Sequence, residues 1–128
     1  DLNGNFKNIA HNRGGTTLGR PYSSGMFSLS DNGTIAYTYA TPQHPADIAS
    51  ISSKGNNFRR LTQLNKALFK YKALGKVEEL WYKSSVDGRD IQGWVVYPPD
   101  YDPSKTYPLL VENHGGPILN YGDRLSFE

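Results

Sequence analysis

Apolar and polar residues alternate along this chain in short runs, with a spacing of two in preference to the three-to-four spacing of helices. Gly25-Met26-Phe27-Ser28-Leu29-Ser30 alternates, Asp31-Asn32-Gly33 interrupts, and Thr34-Ile35-Ala36-Tyr37-Thr38-Tyr39-Ala40 alternates again. A period of two sends successive side chains to opposite faces, which is the signature of a half-buried strand. Asn32-Gly33 between two such runs predicts a hairpin, because that dipeptide accepts the positive φ that tight turns need. Pro42 to Pro45 reads as a linker and Ala46-Asp47-Ile48-Ala49-Ser50-Ile51 as a third strand. Lys54-Gly55-Asn56-Asn57 then turns the chain into Phe58-Arg59-Arg60-Leu61-Thr62.

Four short antiparallel strands within about forty residues have the size and rhythm of one β-propeller blade. A lone blade cannot cover both of its faces, since blades stabilise one another by stacking. Asn65 to Lys72 reads as a turn or a short helical passage. From Ala73 the style changes. Val77-Glu78-Glu79-Leu80-Trp81-Tyr82-Lys83-Ser84 and Ile91-Gln92-Gly93-Trp94-Val95-Val96-Tyr97 read as strands around an Asp87-Gly88 turn. Pro98-Pro99 and Asp102-Pro103 break regular structure. Leu109 to Glu112 is a compact apolar run, of the kind buried in a sheet covered on both faces. The expected fold class is mainly β, with a blade-like unit in residues 1–72 and further strands in residues 73–128.

Composition narrows the functional classes. With 37% hydrophobic and 20% charged residues over 128 positions, the chain is ordinary globular material. The net charge is +2, and the densest basic stretch, Arg59-Arg60 with Lys66, Lys70, Lys72 and Lys76 behind it, reads as a solvated face. No nucleic-acid partner is expected, because no concentrated basic face with stacking aromatics is legible. No apolar run approaches the roughly 20 residues of a membrane span, so no membrane partner is expected either. There is no cysteine, which excludes disulfides and leaves the compartment open between cytoplasm and a periplasmic or secreted home. Asp1-Leu2-Asn3-Gly4-Asn5 reads as internal sequence, without a leader.

The chemistry-bearing stretch is Tyr107-Pro108-Leu109-Leu110-Val111-Glu112-Asn113, followed by His114-Gly115-Gly116-Pro117. A short apolar strand emptying into His-Gly-Gly is how α/β-hydrolases bring backbone N–H groups to the negative charge of an acyl-transfer transition state. No Gly-x-Ser-x-Gly nucleophile elbow occurs in the 128 residues.

The order of these features resembles the prolyl oligopeptidase family of serine peptidases, in its acylaminoacyl-peptidase and dipeptidyl-peptidase-like branch. The residues that carry the resemblance are Asp87-Gly88, Gly93-Trp94, Pro98-Pro99, Tyr107 to Val111 and His114-Gly115-Gly116-Pro117. Ser28-Leu29-Ser30-Asp31-Asn32-Gly33-Thr34-Ile35-Ala36-Tyr37, Pro45-Ala46-Asp47-Ile48 and Arg60-Leu61-Thr62 look like the family's blade signature. The resemblance implies a last β-propeller blade in residues 1–72 running into the first strands of an α/β-hydrolase domain in residues 73–128, truncated before the nucleophile, with a Ser-Asp-His triad beyond Glu128. It implies peptide substrates, the remainder of the same polypeptide as partner, and no cofactor. It also implies that the main-chain N–H of Gly116 is one oxyanion donor, with Gly115 giving the sharp turn.

His114 is a loop residue and not the triad base, since in α/β-hydrolases the histidine follows the nucleophile. Some members of the family carry at its position a Tyr that joins the oxyanion hole, and here the His departs from that pattern. His11 and His44 sit in loop-like segments and read as solvated, and three scattered histidines give no metal site. Glu78 and Glu79 fall on opposite faces of a strand, which rules against joint acid–base work. Asn32-Gly33-Thr34 matches a glycosylation sequon that its hairpin role explains. Trp81 and Trp94 read as core. The expectation is a piece of a serine peptidase that is inactive by itself and inclined to self-associate through exposed blade edges. Two alternatives remain open at the level of sequence: a carboxylesterase-type hydrolase, and a non-catalytic β binding module.

Overall fold

The fold is known from a computed structural model, which describes residues 4–14, 26–113, 115, 122 and 125. Alternation becomes a four-stranded antiparallel sheet whose order follows the chain: β1 (Phe27–Leu29), β2 (Thr34–Thr41), β3 (His44–Ser52) and β4 (Arg59–Arg60). One helical turn, α1 (Lys66–Phe69), leads to a separate two-stranded hairpin of β5 (Val77–Lys83) and β6 (Asp90–Val96). The described part of the chain is thus mainly β, as the pattern of polarity predicts.

Register decides which face is the core. Tyr37 pairs with Phe27 and Ala49, Ile35 with Leu29 and Ile51, and Tyr39 with Asp47, so all these side chains share one face. Tyr37, Ala49 and Ile51 are buried there, with Ala10, Ile35 and Tyr39 packed against them. The amino-terminal segment meets this sheet twice: Ala10 packs on the buried face, and Arg13 pairs with Tyr39 along the edge of β2. Gly14 donates to the Thr38 carbonyl at 3.1 Å, Ala40 donates to the Asn12 carbonyl at 2.7 Å, and Phe58 lies against Tyr39 at 5.3 Å between ring centroids. The opposite face carries Ser28, Thr34, Ala36, Thr38, Ile48 and Ser50 and is mostly polar. A shift of one residue would exchange the two faces, so burial of a single face fixes the pairing.

The loops follow from local chemistry. Asp31-Asn32-Gly33 closes the first hairpin, with Gly33 donating to the Ser30 carbonyl at 2.9 Å and Ser30 donating to the Thr34 carbonyl at 2.9 Å. Asn32 Oδ1 accepts from the Thr34 N–H at 3.0 Å, which accounts for Asn at this position. Gly33 has φ +79°, and a Cβ there would also lie 2.9 Å from Ser53 Oγ. A three-residue loop ending in a left-handed glycine is the arrangement that matches strand twist after a type I turn. Ser53-Lys54-Gly55 repeats it, with Gly55 donating to the Ser52 carbonyl at 2.8 Å and Ser52 to the Asn56 carbonyl at 2.9 Å.

Two expectations need correction here. Pro42 to Pro45 is not a linker. The turn is Pro42-Gln43 alone, and β3 begins at His44, which pairs with Thr41 beyond a bulge in β2. Pro45 is tolerated inside a strand because a bulge locally releases the ladder. Leu109 to Glu112 is not a strand among the described residues. Leu109, Leu110 and Val111 are 80%, 96% and 72% exposed, since no described strand lies beside them to accept their backbone hydrogen bonds.

Candidate functional site

The approach to the His-Gly-Gly loop is built on tyrosines. Tyr97, just after β6, stacks on Tyr101 at 4.5 Å between centroids, and Tyr101 on Tyr107 at 5.3 Å. Tyr97 donates its hydroxyl to Glu78 Oε2 at 2.8 Å, and Lys76 pairs with Glu78 Oε1. The Lys76 and Tyr97 hydrogen bonds hold the Glu78 carboxyl below its ordinary range, and the same carboxylate raises Lys76 and Tyr97. The turn after Pro98-Pro99 is closed by Asp102. Its N–H donates to the Tyr107 hydroxyl at 2.9 Å, and its Oδ1 accepts from Ser104 Oγ at 2.7 Å and Ser104 N–H at 3.0 Å. Those Ser104 bonds lower the Asp102 pKa.

Pro108 to Asn113 then runs without regular structure to Gly115, which is exposed and where a Cβ would meet nothing within 4 Å. His114 and Gly116, named from sequence as loop residue and oxyanion donor, lie outside the described residues. Gly115 is the one residue of that trio placed here. Glu78 and Glu79 do fall on opposite faces: Glu79 Oε1 accepts from Trp81 Nε1 at 2.7 Å and from Gln92 Nε2 at 2.6 Å, away from the Lys76–Tyr97 side. Trp81 is 59% exposed and so is not core, while Trp94 is half-buried. A hairpin of two strands has no opposing layer among the described residues to bury both tryptophans.

The most highly organised polar cluster is elsewhere, and sequence reading passed over it. Asp47 is fully buried on the core face of β3. It accepts from Arg60 Nε at 2.5 Å, from the Thr62 hydroxyl at 2.8 Å and from the Leu64 N–H at 3.0 Å. Burial alone would raise its pKa, but the Leu64, Thr62 and Arg60 hydrogen bonds outweigh that and hold it below the usual carboxylate range. Arg60 also donates from Nε to the Thr62 carbonyl at 3.2 Å, and its Nη2 meets His44 Nε2. Hence His44 is not a solvated loop residue: it opens β3, its side chain is 14% exposed, and Phe69 of α1 packs on its ring. Nor is Arg60 part of a merely solvated face. The available signal was parity, because an Asp two residues before Ala49 and four before Ile51 must point inward and needs a cation. Both carboxylate oxygens of Asp47 are thus engaged within the protein.

A shallow open groove of about 390 Å³ is lined by Phe6, Lys7, Asn8, Ile9, Ala10 and Arg13, residues that offer no general acid or nucleophilic hydroxyl. No group of three metal-ligating side chains occurs among the described residues, and no described helix is long and apolar enough to cross a membrane.

Comparison with known proteins adds a likeness to the partial site. Over 97 residues, 75% of this chain, it is 32% identical to the peptidase YuxL of Bacillus subtilis. The chain is similar to peptidases. It is 34% identical over 73 residues, 57% of its length, to dipeptidyl-peptidase 5 of Porphyromonas gingivalis, and 30% identical over 112 residues, 77% of its length, to dipeptidyl-peptidase 5 of Aspergillus oryzae. It spans 14%, 10% and 15% of those three relatives. No family model matches the chain. The likenesses support a peptidase family.

Proposed function

We propose that this chain is an internal piece of a serine-type peptidase of the prolyl oligopeptidase kind, joining the last propeller blade to the opening strands of the catalytic domain. The observation that carries the reading is one of order. A blade-like four-stranded sheet precedes a hairpin, a Pro-Pro turn, an apolar run and His114-Gly115-Gly116-Pro117, in a chain whose relatives are named peptidases. In the whole enzyme a serine attacks the peptide carbonyl, a histidine carries the proton, and an aspartate orients the histidine. All three come from outside these 128 residues. The Gly116 N–H contributes one of the two hydrogen bonds to the oxyanion, and His114 takes no part in proton transfer.

The chain alone is inert on this reading. The test compares the isolated chain with the whole polypeptide on chromogenic dipeptidyl and acylaminoacyl amides and on simple esters. Amide turnover by the whole polypeptide and none by the chain is expected. Gly116→Pro, which deletes the donor N–H, should lower kcat of the whole enzyme about 10²–10³-fold. His114→Ala should leave the pH profile of kcat/KM in place. Turnover of esters without amides would replace the peptidase by an esterase. An unchanged kcat in Gly116→Pro would remove the oxyanion role.

A further inference from the structure

The hydrogen-bond polarity of the Asp47 cluster fixes the protonation state of its histidine. His44 Nδ1 lies 2.5 Å from the Pro45 carbonyl oxygen, which only accepts, so Nδ1 must carry a hydrogen. Its Nε2 faces Arg60 Nη2, and a guanidinium only donates, so Nε2 must present a lone pair. The geometry therefore requires the neutral Nδ1–H tautomer. A proton added at Nε2 replaces that acceptor with a second donor and sets two cations against each other. The same Nε2 is 3.7 Å from Asp47 Oδ2, an acceptor within reach of a small rotation. Among the described residues two charged groups face the ring: Asp47 from β3 favours the added proton and Arg60 from β4 opposes it. From α1 the ring meets only the uncharged Phe69, with Lys66 and the adjacent Lys70 exposed.

We propose that His44, Asp47 and Arg60 form a proton-operated latch, in which protonation of His44 transfers Asp47 from Arg60 to His44 and releases β4. The location gives the exchange its consequence. β4 has two residues and is paired to β3 only through Arg59 and Arg60. Beyond it, Leu61 donates to the Ile48 carbonyl at 2.8 Å and Leu64 donates to Asp47 itself. Arg60 is thus one of two side-chain anchors of the segment through which the chain leaves the sheet for α1 and the β5–β6 hairpin, the other being Thr62, whose hydroxyl donates to Asp47 at 2.8 Å and accepts from the Ile48 N–H at 2.9 Å. Protonation of His44 loosens that exit while the β2–β3 pairing stays closed. Asp47 remains ionised throughout, because its own hydrogen bonds displace its titration to lower pH.

Amide hydrogen exchange on the full chain at pH 8 and pH 5, corrected for intrinsic rates, tests the latch. The Leu61 and Leu64 amides should lose about tenfold or more of their protection at pH 5. The Ser53 amide, bonded to the Gly33 carbonyl at 2.8 Å in the first two-strand unit, should keep its protection. In His44→Gln the amide oxygen still accepts from Arg60 but cannot be protonated, so the pH effect should vanish. Equal protection of Leu61 and Leu64 at both pH values, or a loss that persists in His44→Gln, overturns the proposal. Should His44→Gln fail to fold, imidazole nitrogen shifts of the wild-type chain at pH 8 decide: the Nδ1–H tautomer supports the latch, and the Nε2–H tautomer overturns it.

Discussion

The two sheets of this molecule are made of similar residues and end in different states. In the four-stranded sheet Tyr37, Ala49 and Ile51 are 6%, 0% and 6% exposed, and even a carboxylate is taken inside. In the β5–β6 hairpin no strand residue reaches that degree of burial, and Trp81, Tyr82 and Val96 are 59%, 52% and 70% exposed. Strand propensity is not the difference, since both regions are rich in aromatic and β-branched residues. What differs is cover. Among the described residues β2 and β3 have neighbours on both edges and Ala10 of the amino-terminal segment packed on one face, whereas the hairpin has two strands alone. Burial, and with it stability, comes from layers and not from strands.

The largest effect that would break this comparison is at Asp47. Asp47→Asn keeps the shape but removes the charge that pairs with Arg60 and leaves Asn donors facing guanidinium donors. About 3 kcal/mol of stability should be lost, read as a lower urea midpoint for the sheet. The sign of the pH dependence follows from the lowered Asp47 pKa. Its contribution is fully present above the ordinary aspartate value of 3.8 and disappears as pH falls through the lower folded-state value. Wild-type stability should therefore decline in acid below about pH 4, and Asp47→Asn should lack that component. A variant as stable as the wild type, with the same acid limb, would show that the buried pair does not hold the sheet.

Gly75 gives the next effect and sharpens the contrast from the hairpin side. A Cβ at Gly75 would run into the backbone carbonyl of Tyr97, and the neighbouring Lys76 carbonyl accepts from the Tyr97 N–H at 2.9 Å. Backbone cannot step aside as a flexible side chain can. Gly75→Ala should separate the entry of β5 from the exit of β6 and cost about 2 kcal/mol in the hairpin. Its signature is loss of the Tyr97–Tyr101 ring-current shifts while the Ile51 methyl signals stay put. Movement of the Ile51 signals as well would mean that the two sheets form one cooperative unit.

How much of this was legible beforehand follows the same division. Elements fixed by local chemistry could be read from sequence: the alternation of Thr34 to Ala40, the Asn32-Gly33 turn, and the opposite faces of Glu78 and Glu79. Features fixed by what lies alongside could not. Leu109 to Val111 has the composition of a buried strand, but strand formation requires a neighbour that composition does not supply. His44 looked like loop because Pro42 and Pro45 flank it, yet the bulge in β2 lets β3 begin there. Arg60 looked like part of a basic run because its partner is thirteen residues away, joined to it only by register. The His-Gly-Gly loop was legible as a motif, and of its three residues only Gly115 lies among those the structure describes.

The smallest predicted effect is also the most direct test of cover as the deciding variable. Ile51→Val and Leu110→Val each shorten an apolar side chain by one methylene, so their transfer terms are nearly equal. Ile51 is packed against Tyr37 and Ala49, and its truncation leaves a cavity that the rigid sheet cannot fully close. Leu110 is 96% exposed and loses no packing. Urea unfolding should give about 1 kcal/mol for Ile51→Val and within about 0.5 kcal/mol of zero for Leu110→Val. Repeating the pair in the whole polypeptide turns the contrast on the proposed function. If Leu109 to Glu112 enters a covered hydrolase sheet there, Leu110→Val should rise to the cost of a core truncation, because the same side chain has then acquired its missing layer. If the cost stays near zero in the whole polypeptide, the run is not a buried strand, and a His-Gly-Gly loop held in place by such a strand loses its support.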